Sequence, residues 1–503
     1  MTPIQAIITI ARGRIQSIEP QFGGVTIISE AGKTEYPGAW AMPGLVDAHA
    51  HIFGLGMKLT GLSLYTALSA EECVERALKH DFYHSEWING MGWNQELWES
   101  REFPTIELLD AAFPDVPVFL TRADGHAAWV NSVALKIAGI DDETPDPIGG
   151  TILRSENKKT TGILIDNAME LVRDHIPKYT AEQQILLLKA AAAELITLGI
   201  TEVHDMDVDV ELLPLFREMA ETATLPIRVQ SYVRAQNDEW LREGVLPNTG
   251  EFQRTCGVKY FMDGALGSRG AALLEAYSDA PDTKGLFLLT EEQLFEKASR
   301  ALEDGWQIST HAIGDAANRA VLNVYEKLRK NNPEAFLRME HGQIVHPDDV
   351  LRFKKNTIKV LVQPIHCTSD APMAEERLGK RCNYAYPWRT LRDTGITFGG
   401  GSDFPIELHD PLTGIDAFCR RLPFGSETPW YPKEIITREE ALLAYTLWAH
   451  ECSEMDYRRG LLKPGFDADI VLHDVNLLTC ADEEILGANV VATYTAGVVR
   501  YSS

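Results

Sequence analysis

Two histidines two positions apart are the first residues whose types and spacing suggest chemistry. His49 and His51 end the largely apolar run Pro43–His51, which has the pattern of a strand. Strand side chains alternate, so residues two apart point the same way. Two imidazoles projecting together can bind one divalent metal ion. A pair of this spacing is a weak signal by itself, and packed histidines fit it equally well.

Polar residues at the ends of other strand-like runs strengthen that signal. They are Lys259, His311, His341 and Asp403. In a parallel α/β barrel, side chains at the C-terminal ends of different strands converge on one site. We therefore expect these four residues to join the histidine pair, although each one taken alone is as compatible with packing.

Eight strand-like segments are available to position these side chains. They are Leu45–His51, Ile200–Asp205, Ile227–Val233, Val258–Asp263, Gln307–His311, Leu337–His341, Lys359–Gln363 and Ile396–Asp403. Helix-like segments separate several of them, which indicates a parallel α/β fold. Eight is the number that a closed (β/α)8 barrel of the TIM type requires. We predict such a barrel over residues 43–461.

The chain outside these eight segments predicts two additions to the barrel. Short alternating strands at both ends, residues 1–42 and 462–503, predict one small β-sandwich domain built from both termini. The gap between the first two barrel strands is too long for a simple crossover, so we predict an insertion at about 58–185. The loop after a barrel strand opens on the face that carries active sites.

Charge and composition exclude some classes of partner. The 503 residues carry a formal net charge of −26, which repels phosphate backbones and anionic membranes. No apolar run reaches the roughly 20 residues that a membrane span needs. We expect a small-molecule substrate, no nucleic acid and no membrane, with a homodimer as the default assembly.

Cysteine usage indicates the compartment. The seven cysteines are scattered and form no Cys-x-x-Cys pair, which argues against a disulfide framework or a thiolate zinc site. The N-terminal run has no basic region before it and no clear cleavage site. We expect a cytoplasmic protein.

Several short motifs together resemble those of a known family. They are Pro43-Gly-Leu-Val-Asp-Ala-His-Ala-His51, Val258-Lys-Tyr-Phe-Met-Asp-Gly-Ala-Leu-Gly-Ser-Arg269, Thr310-His-Ala-Ile-Gly-Asp315, Glu340-His341, Val362-Gln-Pro364, Gly401-Ser-Asp-Phe-Pro405 and Lys463-Pro-Gly-Phe-Asp-Ala-Asp-Ile-Val471. In this order they resemble the amidohydrolase superfamily, in its family 3 branch, which includes the YtcJ-like proteins and N-substituted formamide deformylase. The resemblance covers nearly the whole chain.

The resemblance implies roles for the convergent residues. The implied metal ligands are His49, His51, Lys259, His311, His341 and Asp403. It implies one or two divalent ions, with zinc as the expected metal, and a carboxylated Lys259 that bridges a binuclear centre. An unmodified Lys259 would instead favour a single ion. Asp403 would be the catalytic residue that moves a proton.

The implied reaction is hydrolysis of a carbon–nitrogen bond outside peptides. Metal-activated hydroxide would attack an amide, formamide or cyclic amide of a small molecule. Two alternatives stay open. The same site could act on a carbamate, an ester or a deaminase-type substrate, or the barrel could bind a metal or ligand without catalysis.

Candidate substrate contacts carry weaker signals. They are His126, Asp263, Arg269, His366 and Trp93. For the two histidines, structural hydrogen bonding is an equal alternative. Asp263 and Arg269 could form ion pairs that hold a loop, and a tryptophan is more often a core residue than a pocket wall.

Overall fold

A computed structural model describes residues 2–81, 86–123, 125–147 and 149–503. The chain forms two compact bodies, one from Met1–Ile52 with Ala191–Ser503 and the other from Phe53–Ala190. Within the described residues, every helix is too short or too polar to cross a membrane.

The strands follow one another along both bodies. In chain order they are β1 (Ala6–Ala11), β2 (Arg14–Pro20), β3 (Gly24–Ser29), β4 (Gly32–Pro37), β5 (Trp40–Pro43), β6 (Leu45–Ala50), β7 (Leu62–Ser63), β8 (Ile88–Trp93), β9 (Val118–Arg122), β10 (Ala127–Val130), β11 (Gly150–Arg154), β12 (Thr160–Asp166), β13 (Ile200–Val208), β14 (Arg228–Arg234), β15 (Gln253–Phe261), β16 (Gln307–Ala312), β17 (Leu337–His341), β18 (Lys359–Val362), β19 (Phe398–Gly400), β20 (Ile470–His473), β21 (Val490–Thr495) and β22 (Val498–Ser502).

The α-helices alternate with the strands through much of the chain. They are α1 (Ile52–Thr60), α2 (Ala70–Lys79), α3 (Ile106–Ala112), α4 (Ser132–Ile137), α5 (Glu170–Arg173), α6 (Ala181–Thr197), α7 (Leu213–Glu221), α8 (Glu239–Arg242), α9 (Glu291–Glu303), α10 (Asp315–Asn331), α11 (Val350–Lys355), α12 (Pro364–Leu378), α13 (Trp388–Asp393), α14 (Pro411–Arg420), α15 (Arg438–Ala444) and α16 (Leu447–Glu451).

Eight parallel strands form the predicted barrel. They pair in the order β6-β13-β14-β15-β16-β17-β18-β19. The last and first strands meet just beyond β19, where the Asp403 amide donates to the His49 carbonyl at 2.8 Å and the His51 amide donates to the Phe404 carbonyl at 2.9 Å. The barrel is therefore nearly closed, and the fold prediction is confirmed.

The two chain ends form two four-stranded sheets, as predicted. One has the order β2-β1-β3-β4 and the other β22-β21-β20-β5, so that β5 from the N-terminal segment completes the C-terminal sheet. Their apolar side chains, such as Ile8 and Ile27 from one sheet and Ile470 from the other, share one core. The hydroxyls of Tyr36 and Tyr494 join the two sheets at 2.6 Å.

The second body has a sheet and hydrophobic cores of its own. Its strand order is β11-β12-β10-β9-β8-β7. Trp93, Trp98 and Trp129 pack in one core, and Phe119 and Leu164 belong to another. Its limits enclose the segment 58–185 that we predict as an insertion.

A buried charge network holds the N-terminal ends of the barrel strands to the C-terminal segment. Arg228, the first residue of β14, donates from Nε and Nη2 to both carboxylate oxygens of Asp469, at 2.8 and 3.1 Å. Both residues are buried. A buried ion pair contributes little compared with a well-packed apolar pair, but removing one partner leaves the other charge uncompensated.

We expect Arg228→Met to lower the free energy of unfolding by about 3–5 kcal/mol, because Asp469 would keep a buried, unpaired charge. The measurement is the urea midpoint of the full-length protein. Arg217→Met is the matched control, because Arg217 is exposed and its loss should change stability by less than about 0.5 kcal/mol. Equal midpoints for both variants would contradict a structural role for the Arg228 pair.

Candidate metal centre

A cavity of about 380 Å³ lies at the C-terminal ends of the barrel strands. Its lining residues are His49, His51, Lys259, Phe261, Ala265, Leu266, Gly267, His311, Ile313, His341, Gln343, His366, Asp370, Asp403, Ile406 and Glu407. All of them belong to the body that contains the barrel. The six predicted metal ligands are thus brought to one cavity.

The histidine pair faces Asp403 across the point where the barrel closes. His49 is the fifth residue of β6, and His51 follows the strand. Their Nε2 atoms lie 3.6 and 3.0 Å from Asp403 Oδ1. Asp403 itself has a φ of +60°, and this left-handed backbone is a strained conformation that functional sites often retain.

Three of the histidines have their Nδ1 atoms occupied by acceptors. His49 Nδ1 donates to Glu340 Oε2 at 2.6 Å, His51 Nδ1 to the Met206 carbonyl at 2.9 Å, and His341 Nδ1 to Gln363 Oε1 at 2.8 Å. This arrangement fixes the orientation of all three rings, and it leaves the Nε2 atoms of His49 and His341 without a proton, as a metal ligand requires.

Burial keeps most of these imidazoles neutral. Burial, aided by the charge of Lys259, lowers the pKa of His49 to about 4 and that of His311 to about 3. Burial also holds the pKa of His341 well below its usual value. Neutral imidazole is the form that coordinates a metal, so these rings need lose no proton when an ion binds near pH 7.

Asp403 stays ionised despite its burial. Burial alone raises the pKa of its carboxyl, but hydrogen bonds from His366 and His51 hold it well below its usual range. His366 Nε2 lies 3.2 Å from Asp403 Oδ2, and its Nδ1 lies 3.0 Å from Glu407 Oε1. Asp403 therefore presents an anion to the cavity.

These donors fit a divalent cation. One ligand atom from each of His49, His341 and Asp403 lies within 4.8 Å of the others. The His311 and His341 rings lie 4.4 Å apart, and His311 Nε2 is buried without a hydrogen-bond partner among the described residues. Two neutral imidazoles and a carboxylate make a ligand set that suits zinc and related ions.

Lys259 lies in the same cavity with little exposure. It is 1% exposed, and its Nζ lies 5.0 Å from the centre of the Phe261 ring. Within the described residues, no carboxylate forms an ion pair with Nζ. Burial lowers the pKa of this amine, because an unpaired ammonium loses its hydration there.

Of the five predicted substrate contacts, one lines the cavity. Four do not: Asp263, Arg269, Trp93 and His126. His366 is a cavity residue. Asp263 is buried and accepts hydrogen bonds from the backbone amides of Ala272, Ile313 and Gly314. Arg269 pairs with Asp279 at 2.7 Å. Their polar atoms are turned to those partners, which supports the alternative that both hold loop structure, and substrate contact by either residue stays a prediction.

The other two predicted substrate contacts, Trp93 and His126, belong to the second body. Trp93 is fully buried in a core of that body, and its indole N–H donates to the Leu120 carbonyl at 2.7 Å. A ring with no exposed face cannot form a pocket wall, so that prediction is corrected. The side chain of His126 is 75% exposed and pairs with Asp166 at 2.8 Å. The structure thus supports the structural alternative for His126.

Glu340 is the functional residue that the sequence left without a role. It precedes His341 in β17, and strand alternation predicts opposite faces for neighbouring residues. His341 has a φ of +71°, which breaks the alternation and lets both residues approach His49. In the sequence, only the Glu340-His341 motif marks this position.

Comparison with known proteins adds to this geometry. The model of the amidohydrolase family matches residues 37–501. The chain belongs to the amidohydrolase family. It is 34% identical to the putative amidohydrolase YtcJ of Bacillus subtilis, over 92% of this chain and 88% of that protein. It is 25% identical to N-substituted formamide deformylase of Arthrobacter pascens, over 94% and 90% of the two chains.

A solved structure supports the same assignment. The crystal structure of an uncharacterized metal-dependent hydrolase from Pyrococcus horikoshii OT3 superimposes with a TM-score of 0.79. It is 28% identical in sequence, and the match covers 95% of this chain and 98% of the other. The predicted family is confirmed, and with it a hydrolase that uses a divalent metal.

We expect Glu340→Gln to weaken metal binding about 10–100-fold, because a neutral amide is a poorer acceptor for the His49 Nδ1–H group. Competition with a chromogenic chelator measures the affinity. Glu434→Gln is the matched control, because Glu434 is equally buried but accepts from the backbone and side chain of Thr390. If both variants bind metal as tightly as the unmodified protein, Glu340 does not orient a ligand.

Proposed function

We propose that this protein hydrolyses a carbon–nitrogen bond, outside peptides, in an amide, formamide or cyclic amide of a small molecule. The observation that carries the proposal is the position of Asp403. Its carboxylate contacts the Nε2 atoms of His51 and His366 and stays ionised at the cavity surface. An ionised carboxylate beside the predicted ligands can also take a proton from a water, which favours a hydrolase over a pure metal-binding protein.

The proposed metal ligands are six of the cavity residues: His49, His51, Lys259, His311, His341 and Asp403. A divalent ion held there, zinc in our proposal, would acidify a water and polarise the substrate carbonyl. Asp403 would accept the proton of the attacking water as the new carbon–oxygen bond forms. Asp403 then gives the proton to the departing nitrogen as the carbon–nitrogen bond breaks, so that one carboxylate serves as base and then acid.

His366 and Glu407 support the proton-transfer role of Asp403. Burial alone lowers the pKa of His366, but its hydrogen bonds to Asp403 and Glu407 raise that pKa to about 10. The ring is thus a cation between two carboxylates. It holds the Asp403 carboxylate in one orientation and keeps Oδ1 directed toward the histidine pair.

Lys259 is proposed to be carboxylated on Nζ. A neutral amine adds CO2 and releases a proton, and burial favours the neutral amine by lowering its pKa. The carbamate would turn a buried, unpaired cation into an anion among neutral imidazoles. That change of sign lets the cavity hold two ions, whereas an unmodified Lys259 would repel them.

We expect Asp403→Asn to lower kcat for hydrolysis of N-formyl and N-acyl amines about 10²–10⁴-fold, because the amide cannot take the water's proton. Metal content is measured on the same sample. Asp349→Asn is the control, since Asp349 is buried but pairs with Arg319 and Arg352. Turnover that persists in Asp403→Asn with metal bound would rule out the proposed proton shuttle.

A further inference from the structure

Gln343 is a cavity residue that neither the metal centre nor the proton shuttle uses. It lies two residues beyond His341, and its side chain lines the cavity although the residue is only 4% exposed. The positive φ values of His341 and Gly342, +71° and +48°, turn the chain at the end of β17. The turn brings His341 and Gln343 to the same cavity.

The side-chain amide of Gln343 is held by two partners. Its Nε2 donates to the Tyr386 hydroxyl at 2.6 Å and to Asp370 Oδ2 at 3.3 Å. The Tyr386 hydroxyl donates in turn to Asp370 Oδ2 at 2.8 Å. The Tyr386 hydroxyl and Asp370 Oδ2 lie only 2.8 Å apart, so both are on the same side of Nε2 and together fix the orientation of the amide.

This arrangement fixes which atom of the amide is left for a ligand. Reversing the amide would set its oxygen against Asp370 Oδ2, which is already the acceptor of the Tyr386 hydroxyl. The oxygen Oε1 must therefore point away from Tyr386 and Asp370. Among the described residues, no hydrogen-bond donor contacts Oε1, and this oxygen keeps some exposure, so it can accept a hydrogen bond from a ligand in the cavity.

Asp370, which holds the Gln343 amide, lies on the same helix as His366, which contacts the Asp403 carboxylate. Asp370 and His366 are four residues apart on α12, so they lie on the same face of the helix, and both line the cavity. His366 contacts Asp403, while Asp370 holds Gln343 through Tyr386. Helix α12 therefore carries both a residue that holds the Gln343 amide and the residue that contacts the proposed proton shuttle.

We propose that Gln343 is a specificity-determining residue that selects substrates with an N–H donor, as a secondary amide or N-substituted formamide has at its scissile bond. The inference rests on the hydrolytic function proposed above and narrows its substrate class. Gln343 Oε1 accepts a hydrogen bond from that N–H group. In an ester of the same shape, an oxygen replaces the N–H group and meets Oε1 as a second acceptor.

The test compares N-benzylformamide with benzyl formate, which differ by NH against O. The metal-loaded, full-length protein is assayed as the unmodified chain and as Gln343→Met, Tyr386→Phe and Gln307→Met. Gln307→Met is the matched control, because Gln307 is a buried glutamine at the N-terminal end of β16. The readout is the ratio of kcat/KM for the formamide to that for the ester.

The ratio separates recognition from general damage, because a merely structural defect lowers both rates together. We expect Gln343→Met to lower the ratio about tenfold, and Gln307→Met to leave it unchanged. Tyr386→Phe should lower it by a smaller factor, because the amide then keeps only Asp370 as its anchor. If Gln343→Met does not fold, the ratio measured for Tyr386→Phe tests the inference by itself.

The outcome also distinguishes this inference from the proposed function. If neither compound is hydrolysed, the hydrolysis of formamides is contradicted, and the ratio of dissociation constants of the same two compounds is measured instead. The inference is overturned if Gln343→Met and Tyr386→Phe keep the ratio of the unmodified protein in whichever quantity is measured. A ratio that falls in both variants supports it.

Discussion

The hydrogen bond from His49 to Glu340 joins a charge network inside the barrel to the cavity at the barrel's end. Arg338 is fully buried and donates to Glu340 Oε1 at 2.9 Å, while His49 donates to Glu340 Oε2 at 2.6 Å. Burial alone raises the pKa of Glu340, but the Arg338 guanidinium and His49 hold it well below its usual value. An ionised Glu340 keeps the proton on His49 Nδ1 and leaves Nε2 to bind a cation.

The barrel explains how the proposed ligands from distant parts of the sequence come together. The cavity lies at the C-terminal ends of β6, β15, β16, β17 and β19, which all belong to the nearly closed barrel sheet. Positive φ values at His341 and Asp403 then direct side chains that regular strand geometry would place elsewhere. The same burial that supports the barrel keeps His49, His311 and His341 neutral, so folding prepares these three rings for a metal before any ion binds.

Much of this centre follows from strand periodicity. The spacing of His49 and His51 predicts a shared direction, and eight strands predict convergence, because both depend on regular backbone geometry. Strand periodicity does not predict the contact of Glu340 with His49, because the left-handed backbone of His341 breaks the alternation. Periodicity also does not predict the surroundings of Trp93 and Asp263. Whether a side chain is enclosed by a core or by backbone amides depends on contacts distant in sequence. Gln343 has no local signal, since its role depends on Tyr386 and Asp370.

The most direct test of the metal centre is a crystal structure of the zinc-loaded protein with anomalous scattering data collected on both sides of the zinc edge. The assignment predicts an anomalous peak bonded to the Nε2 atoms of His49 and His341 and to the Asp403 carboxylate, with carbamate density on Lys259 Nζ if a second peak is present. A cavity without an anomalous peak, or zinc bound only outside it, would contradict the assignment.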